Sequence, residues 1–187
     1  MLKVTELKYL DFGPFSYLVE RGRCLGVSGP SGSGKSLMLR ALADLDDHTG
    51  TVALHGAAAR SMPAHEWRRR VGYLPAACPW WADRVGDHFA PGTMIDSLGF
   101  GNEVLDWEVR RLSSGEKQRL GLLRMLALSP EVLLLDEPTA NLDPENAAAV
   151  EALLQSLLKG ENGCAMVLVS HDAGQLERLA DERLVLS

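Results

Sequence analysis

The chain has 187 residues, 46% hydrophobic and 24% charged, enough apolar material for one large domain or one core with a small insertion. Its formal charge of −6 argues against a dedicated nucleic-acid binder, which would carry a basic surplus. No apolar run approaches the roughly 18 residues needed to cross a bilayer, and Met1-Leu2-Lys3-Val4 has no signal-peptide pattern. Cys24, Cys78 and Cys164 are odd in number and far apart, which excludes a disulfide framework. The expectation is a cytosolic chain able to dock on a membrane partner. Arg68-Arg69-Arg70 and Arg110-Arg111 read as solvated faces or salt-bridge partners.

In chain order, Lys3–Leu7, Phe15–Glu20 and Arg23–Ser28 read as short strands, the last running straight into a glycine-rich loop. Lys35–Leu45 reads as a helix with Leu37, Leu39, Leu42 and Leu45 at apolar positions. Thr51–His55 reads as a strand, Pro63–Arg69 as a short helix with Pro63 in its first turn, and Val71–Leu74 as a strand cut off by Pro75. Ala76–Arg111 is irregular, with Trp80 and Trp81 side by side and one short helix expected at Met94–Leu98. Ser113 or Ser114 caps a long helix from Gly115 to about Leu128, stopped by Ser129-Pro130. Val132–Leu135 is an apolar strand, Pro144–Leu158 a helix, Ala165–Val169 a second apolar strand, Asp172–Ala180 a helix and Arg183–Leu186 a last strand. Apolar strands alternating with helices predict an α/β fold with a mainly parallel sheet covered on both faces.

Gly29-Pro30-Ser31-Gly32-Ser33-Gly34-Lys35-Ser36 fits G-x-x-x-x-G-K-[ST] at every fixed position, and joins a buried strand to a helix as a phosphate loop requires. Glycines let backbone N–H groups turn inward around phosphate oxygens, and the helix start adds its positive dipole end. Lys35 reaches the β- and γ-phosphates in this reading, and Ser36 offers its hydroxyl to Mg²⁺. Asp136 closes an apolar strand, at the edge where parallel sheets bind ligands. An acid there suits the Mg²⁺ shell, and Glu137 suits a general base for water; the bland alternative is a helix-capping pair before Pro138. Ser113-Ser114-Gly115 is a second helix start of anion-binding type, and two facing subunits would each close the other's nucleotide site with it. Taken alone it is a helix cap. His171, at another strand end, is placed to bond a γ-phosphate or water, whereas His48, His55, His65 and His88 form no ligand pattern.

With these residues in order, the chain resembles the ATP-binding subunit of ABC transporters over nearly its full length. Gly29–Ser36 corresponds to Walker A, Leu112-Ser113-Ser114-Gly115-Glu116 to the signature, Val132–Asp136 with Glu137 to Walker B, Asn141-Leu142-Asp143 to the D-loop, and His171 to the switch histidine. Val71-Gly72-Tyr73-Leu74-Pro75 and Gly115-Glu116-Lys117-Gln118-Arg119 also resemble small bacterial subunits, including the FetA-like iron exporter group. The resemblance implies a P-loop NTPase fold with an N-terminal antiparallel β subdomain, one domain over 1–187, and a shortened helical subdomain at about 89–128. It implies a homo- or heterodimer with two ATP and Mg²⁺ at its interface. Lys35, Glu137 and His171 would be catalytic, and Ser36 and Asp136 would hold the metal. Gly29, Pro30, Ser31, Gly32, Ser33, Gly34, Lys35 and Ser36 would bind one ATP, with Ser113 and Gly115 on the partner's ATP. It further implies a transmembrane permease partner, a place on the inner face of the cell membrane, and no nucleic acid.

The sequence departs from that pattern in three places. Ala76 stands where the family has its Q-loop glutamine, and no glutamine occurs before Gln118, so hydrolysis slower or less tightly coupled than usual is expected. The segment from Phe89 to Arg111 is short for a helical subdomain. The adenine-stacking aromatic is either Tyr9 or Phe12. Trp80 and Trp81 suit an anchor for the membrane partner, with core packing of one of them as the alternative. Two other functions stay open: a regulatory module that dimerises on ATP with weak hydrolysis, and a soluble ABC ATPase outside transport. The cargo is not legible here.

Overall fold

A computed structural model describes residues 1–91, 93, 95–160 and 163–187. The N-terminal strands β1 (Leu2–Tyr9) and β2 (Phe12–Val19) pair antiparallel. β3 (Cys24–Ser28) then enters a second sheet and feeds α1 (Lys35–Leu42). β4 (Thr49–Leu54) and the short β5 (Ala57–Ala58) complete the first sheet in the order β2-β1-β4-β5. α2 (Ala64–Arg70), β6 (Val71–Leu74), α3 (Ser114–Leu126), β7 (Val132–Asp136), α4 (Pro144–Lys159), β8 (Ala165–Val169), α5 (Ala173–Leu179) and β9 (Glu182–Val185) follow. The second sheet is parallel, in the order β6-β7-β8-β3-β9.

Its central strands are buried on both faces, which is why they read as unbroken apolar runs. Alternation sorts their side chains between two cores. Val132, Leu134, Val167 and Val169 face α1 and the antiparallel sheet, while Leu133, Leu135, Met166 and Leu168 face α3, α4 and α5. Each such side chain contributes roughly 1.5–3 kcal/mol of burial. Trp67 of α2, fully buried, donates its indole N–H to Leu42 O at 3.0 Å and so pins α2 to the end of α1.

Two differences from the sequence reading have physical causes. No helix forms over the described part of Met94–Leu98: Met94 lies outside the described residues, and Ile95–Leu98 run through a bend into a turn. Leu98 and Gly99 both take positive φ, 61° and 78°, which a right-handed helix does not accommodate. Between β6 and α3, short 3₁₀ turns at Gly86–His88, Asn102–Asp106 and Val109–Arg111 supply the helical content of the described residues. α1 also stops at Leu42 rather than Leu45, because Asp44 takes φ 54°.

Candidate functional site

Parallel register brings the sequence motifs to one edge. Val27 pairs with Val169, and Asp136 pairs with Val169 from the other side, so β3, β8 and β7 end on one row. The residues just beyond that row are the phosphate loop, Ser170-His171 and Glu137. Backbone bonds carry the row on: Glu137 N–H donates to Val169 O at 3.0 Å, and Leu186 N–H to Ser28 O at 2.8 Å.

In the loop, Gly29 (φ 148°) leaves no room for a side chain, since a Cβ there would sit 2.8 Å from Ser33 Oγ and closer still to Leu186 O. Gly34, at φ 83°, caps α1 with the Phe12 ring 3.0 Å from where its Cβ would stand. Pro30, Ser31, Gly32 and Ser36 are exposed, whereas Ser33 is buried with its hydroxyl oxygen unpartnered. Lys35 is 7% exposed and donates its Nζ–H groups to Gly29 O at 2.8 Å and Pro30 O at 2.9 Å, drawing the ammonium across the loop.

Asp136 is buried at the end of β7, and the Tyr73 hydroxyl on neighbouring β6 faces it. Burial, reinforced by the Asp136 charge, raises the Tyr73 phenol above its ordinary range. Glu137 has φ 51°, a left-handed conformation that costs a non-glycine residue about 1–3 kcal/mol. Its Oε2 accepts from His171 N–H at 3.3 Å, and its Oε1 lies 3.6 Å from His171 Nε2, beyond hydrogen-bond range. Burial raises the Glu137 pKa above the usual carboxylate value, against the pull of His171 and Lys35 and with help from Asp136.

These features fit a polyphosphate with a divalent cation. Ser33 Oγ and Glu137 Oε1 are buried and lack partners, and the ammonium of Lys35 and the carboxylate of Asp136 flank the same edge. Among the described residues no group of three or more His, Cys, Asp or Glu makes an all-protein metal cage. Mg²⁺ characteristically takes one or two protein oxygens and completes its shell with phosphate and water.

The second helix start is built as a capping box. Ser113 Oγ accepts from Glu116 N–H at 3.2 Å, and Glu116 Oε2 accepts from Ser113 N–H and from its hydroxyl, both at 2.8 Å. Gly115 packs on the loop after β7: a Cβ there would lie 2.9 Å from Leu142 Cδ2 and 3.2 Å from Asn141 O. Of the two aromatic candidates, Tyr9 is 2% exposed and stacked between Phe12 and Phe15, while half-buried Phe12 is the one against the phosphate loop. Ala76 is exposed. Pro75 O beside it accepts from the buried Gln118 amide on α3 at 3.2 Å, a link the sequence did not announce. Thr139, Glu151 and Gln175, behind the Glu137 loop, were equally silent.

Trp80 and Trp81 both set a face or edge against His88, with ring centroids 4.6 and 4.5 Å away, and Arg124 lies 4.8 and 4.7 Å from their centroids. His88 Nε2 accepts from Trp81 N–H and Ala82 N–H, so the ring proton sits on Nδ1, which donates to Arg84 O. Trp80 is half-buried; Trp81 is 70% exposed. Beside it opens a mainly apolar groove of about 430 Å³ between β6 and α3, lined by Leu45, Tyr73, Phe89, Met125 and Leu128. Cys78, at its wall, is a packing group: burial pushes its thiol up to about 11.

A glycine-rich loop between a buried parallel strand and a helix, with an acid ending a neighbouring strand, defines a P-loop nucleotide-binding protein. The sequence model of ABC transporters matches residues 12–140, well over half the chain, and the chain belongs to that family. It is 37% identical over 182 residues to Protein STAR1 of Oryza sativa subsp. japonica, covering 87% of this chain and 51% of that one. It is 36% identical over 182 residues to ABC transporter I family member 17 of Arabidopsis thaliana, covering 87% and 67%. It is 36% identical over 219 residues to the phosphate import ATP-binding protein PstB of Pyrobaculum aerophilum, covering 97% and 85%. The chain thus spans about half of the first of these relatives and about two thirds of the second. For the fold, a dimeric post-hydrolysis ATP-binding cassette bound to ADP and Pi superposes with TM-score 0.82 at 22% identity, covering 100% of this chain and 94% of that one. A bacterial Atm1-family ABC exporter with ATP bound gives 0.83 at 23%, covering 100% and 36%.

Proposed function

We propose that this chain is an ATP-binding and ATP-hydrolysing subunit that pairs around two ATP molecules and drives a transmembrane permease. The observation that carries it is the convergence on one sheet edge of Lys35, Asp136, Glu137 and His171, with the Ser113–Gly115 helix start on a separate element. Gly29 to Ser36 cradle the phosphates, Phe12 lies under the adenine, and Ser113 and Gly115 serve the partner's ATP. Ser36 and Asp136 hold Mg²⁺, which neutralises charge on the phosphates. Glu137 draws a proton from water, its basicity raised by burial, and His171 holds it in place through the contacts at 3.3 and 3.6 Å. Residues 1–187 act as one ATPase domain, with about 89–128 as a shortened helical subdomain. The groove beside Trp81 receives the permease, which keeps the subunit on the inner face of the membrane.

Steady-state hydrolysis with Mg²⁺, and light scattering of Glu137→Gln with ATP, test this directly: turnover by the wild type and an ATP-dependent dimer of the variant are the expected results. A weakly hydrolysing regulatory module is the second reading, favoured by Ala76. Because Ala76 is exposed, Ala76→Gln fits without repacking. It is expected to raise the single-turnover rate by about tenfold, the scale of one added hydrogen bond; an unchanged rate would remove Ala76 as a determinant of the hydrolysis rate.

A further inference from the structure

Behind the Glu137–His171 pair lies a buried polar bridge. Gln175, on the first turn of α5, is 0% exposed. Its Nε2 donates to Thr139 Oγ1 at 2.8 Å and to Glu151 Oε1 at 3.3 Å. Glu151, 9% exposed on α4, is in turn clamped by Arg178 of α5 through bonds of 2.7 and 2.8 Å. Gln175 Oε1 has no partner. Turning the amide over would set that oxygen against the Glu151 carboxylate, so the donor orientation is fixed.

The bridge ties three segments that no backbone ladder joins. Thr139 stands two residues after Glu137, in the turn closed by Ala140 N–H to Glu137 O at 3.1 Å and Leu142 N–H to Thr139 O at 3.2 Å. Gln175 stands four residues after His171, and Asp172 between them caps α5 by accepting from Gly174 N–H and Gln175 N–H. The left-handed backbone at Glu137 relaxes unless something holds the following turn. Resting on the ATPase reading above, we propose that Gln175 is a positioning residue for hydrolysis: by gripping Thr139 and Glu151 together it fixes the spacing between the Glu137 carboxylate and the His171 switch. Fully buried, it acts through these two side chains rather than on the reacting groups.

The test uses Gln175→Met, which keeps the volume and removes the amide, Thr139→Val, which removes only the hydroxyl, and Thr139→Ser, which keeps the hydroxyl and drops the methyl. Gln175→Met and Thr139→Val are each expected to lower kcat by about tenfold while KM for ATP moves by less than about threefold, with the double variant no worse than the poorer single one. Thr139→Ser should retain turnover close to wild type. In nucleotide-free protein, amide exchange at residues 137–142 should accelerate in both damaging variants and nowhere else in the parallel sheet. Unchanged exchange there, kcat within about twofold of wild type in both, or losses that multiply in the double variant would overturn the proposal. Should the wild type bind ATP without hydrolysing it, the ATPase reading falls while the exchange measurement still decides whether the bridge holds the loop.

Discussion

Glu137 combines a left-handed backbone, a half-buried carboxylate and one oxygen without a hydrogen-bond partner. Its folded-state pKa lies above that of the unfolded chain, with burial the main cause, so the charged form is a cost to the fold at neutral pH that is relieved as pH falls through the raised value. Glu137→Gln is therefore expected to raise the thermal midpoint at neutral pH, an advantage that vanishes in acid once the native carboxyl is protonated. The same variant should lose about a hundredfold or more in kcat, the scale of a general base. Scanning calorimetry at neutral and acid pH checks the first statement; a lower midpoint at neutral pH would refute it. In the wild type, kcat should fall with acid at a pH above the ordinary carboxylate range. The sequence named Glu137 and His171 because each ends an apolar strand, a local pattern. It could not name Gln175, whose contacts with Thr139 and Glu151 span 36 and 24 residues and show no local period.

At the scale of elements, apolar strands and capped helices were legible, since burial on both faces and Ser or Asp caps leave contiguous marks. Phase was not. In β1 a register shift near Glu6, which takes φ 50°, breaks the alternation and turns Leu7 and Tyr9 inward. Strict alternation would have pointed Tyr9 outward; the bulge buries it, while the Phe12 ring lies against Gly34 of the phosphate loop. Ile95 likewise shows why Met94–Leu98 misled: a buried apolar residue satisfies helical spacing without any helix. α3 offers a test of how an element holds a loop. Gly121→Ala should add about 1 kcal/mol of helix propensity, yet the new methyl would collide with Cys78 Sγ. We expect a net loss of stability in urea that Cys78→Ala restores, with a coupling of at least about 0.5 kcal/mol; additive effects would show that the contact is slack.

Across the whole molecule, the part carrying the nucleotide motifs is fixed by sheet register, while the segment between β6 and α3 is fixed largely by side chains, with His88, Arg124 and the two tryptophans at its centre. That division explains the uneven legibility of the site. Register follows from strand identity, whereas a side-chain hub depends on which rings happen to meet. It also separates the tryptophans: Trp80 is engaged within the chain and Trp81 faces outward at the groove. On the proposed permease partnership, Trp81→Ala is expected to weaken retention of that partner by about tenfold or more, as loss of an interface aromatic does, while leaving hydrolysis by the isolated subunit within about twofold of wild type. Co-purification against the membrane partner checks it, and full retention would move the anchor elsewhere.

The capping box on α3 has one more consequence. Its helix start already holds an anion, the Glu116 carboxylate, on the same Ser113 hydroxyl and N–H that a facing triphosphate would want. A nucleotide arriving there, as the proposed pairing requires, would compete with a tethered carboxylate for one set of donors. On the proposed pairing, the Glu116 carboxylate would act as a guard on this helix start, and a triphosphate, with its greater charge, is the kind of ligand that could displace it.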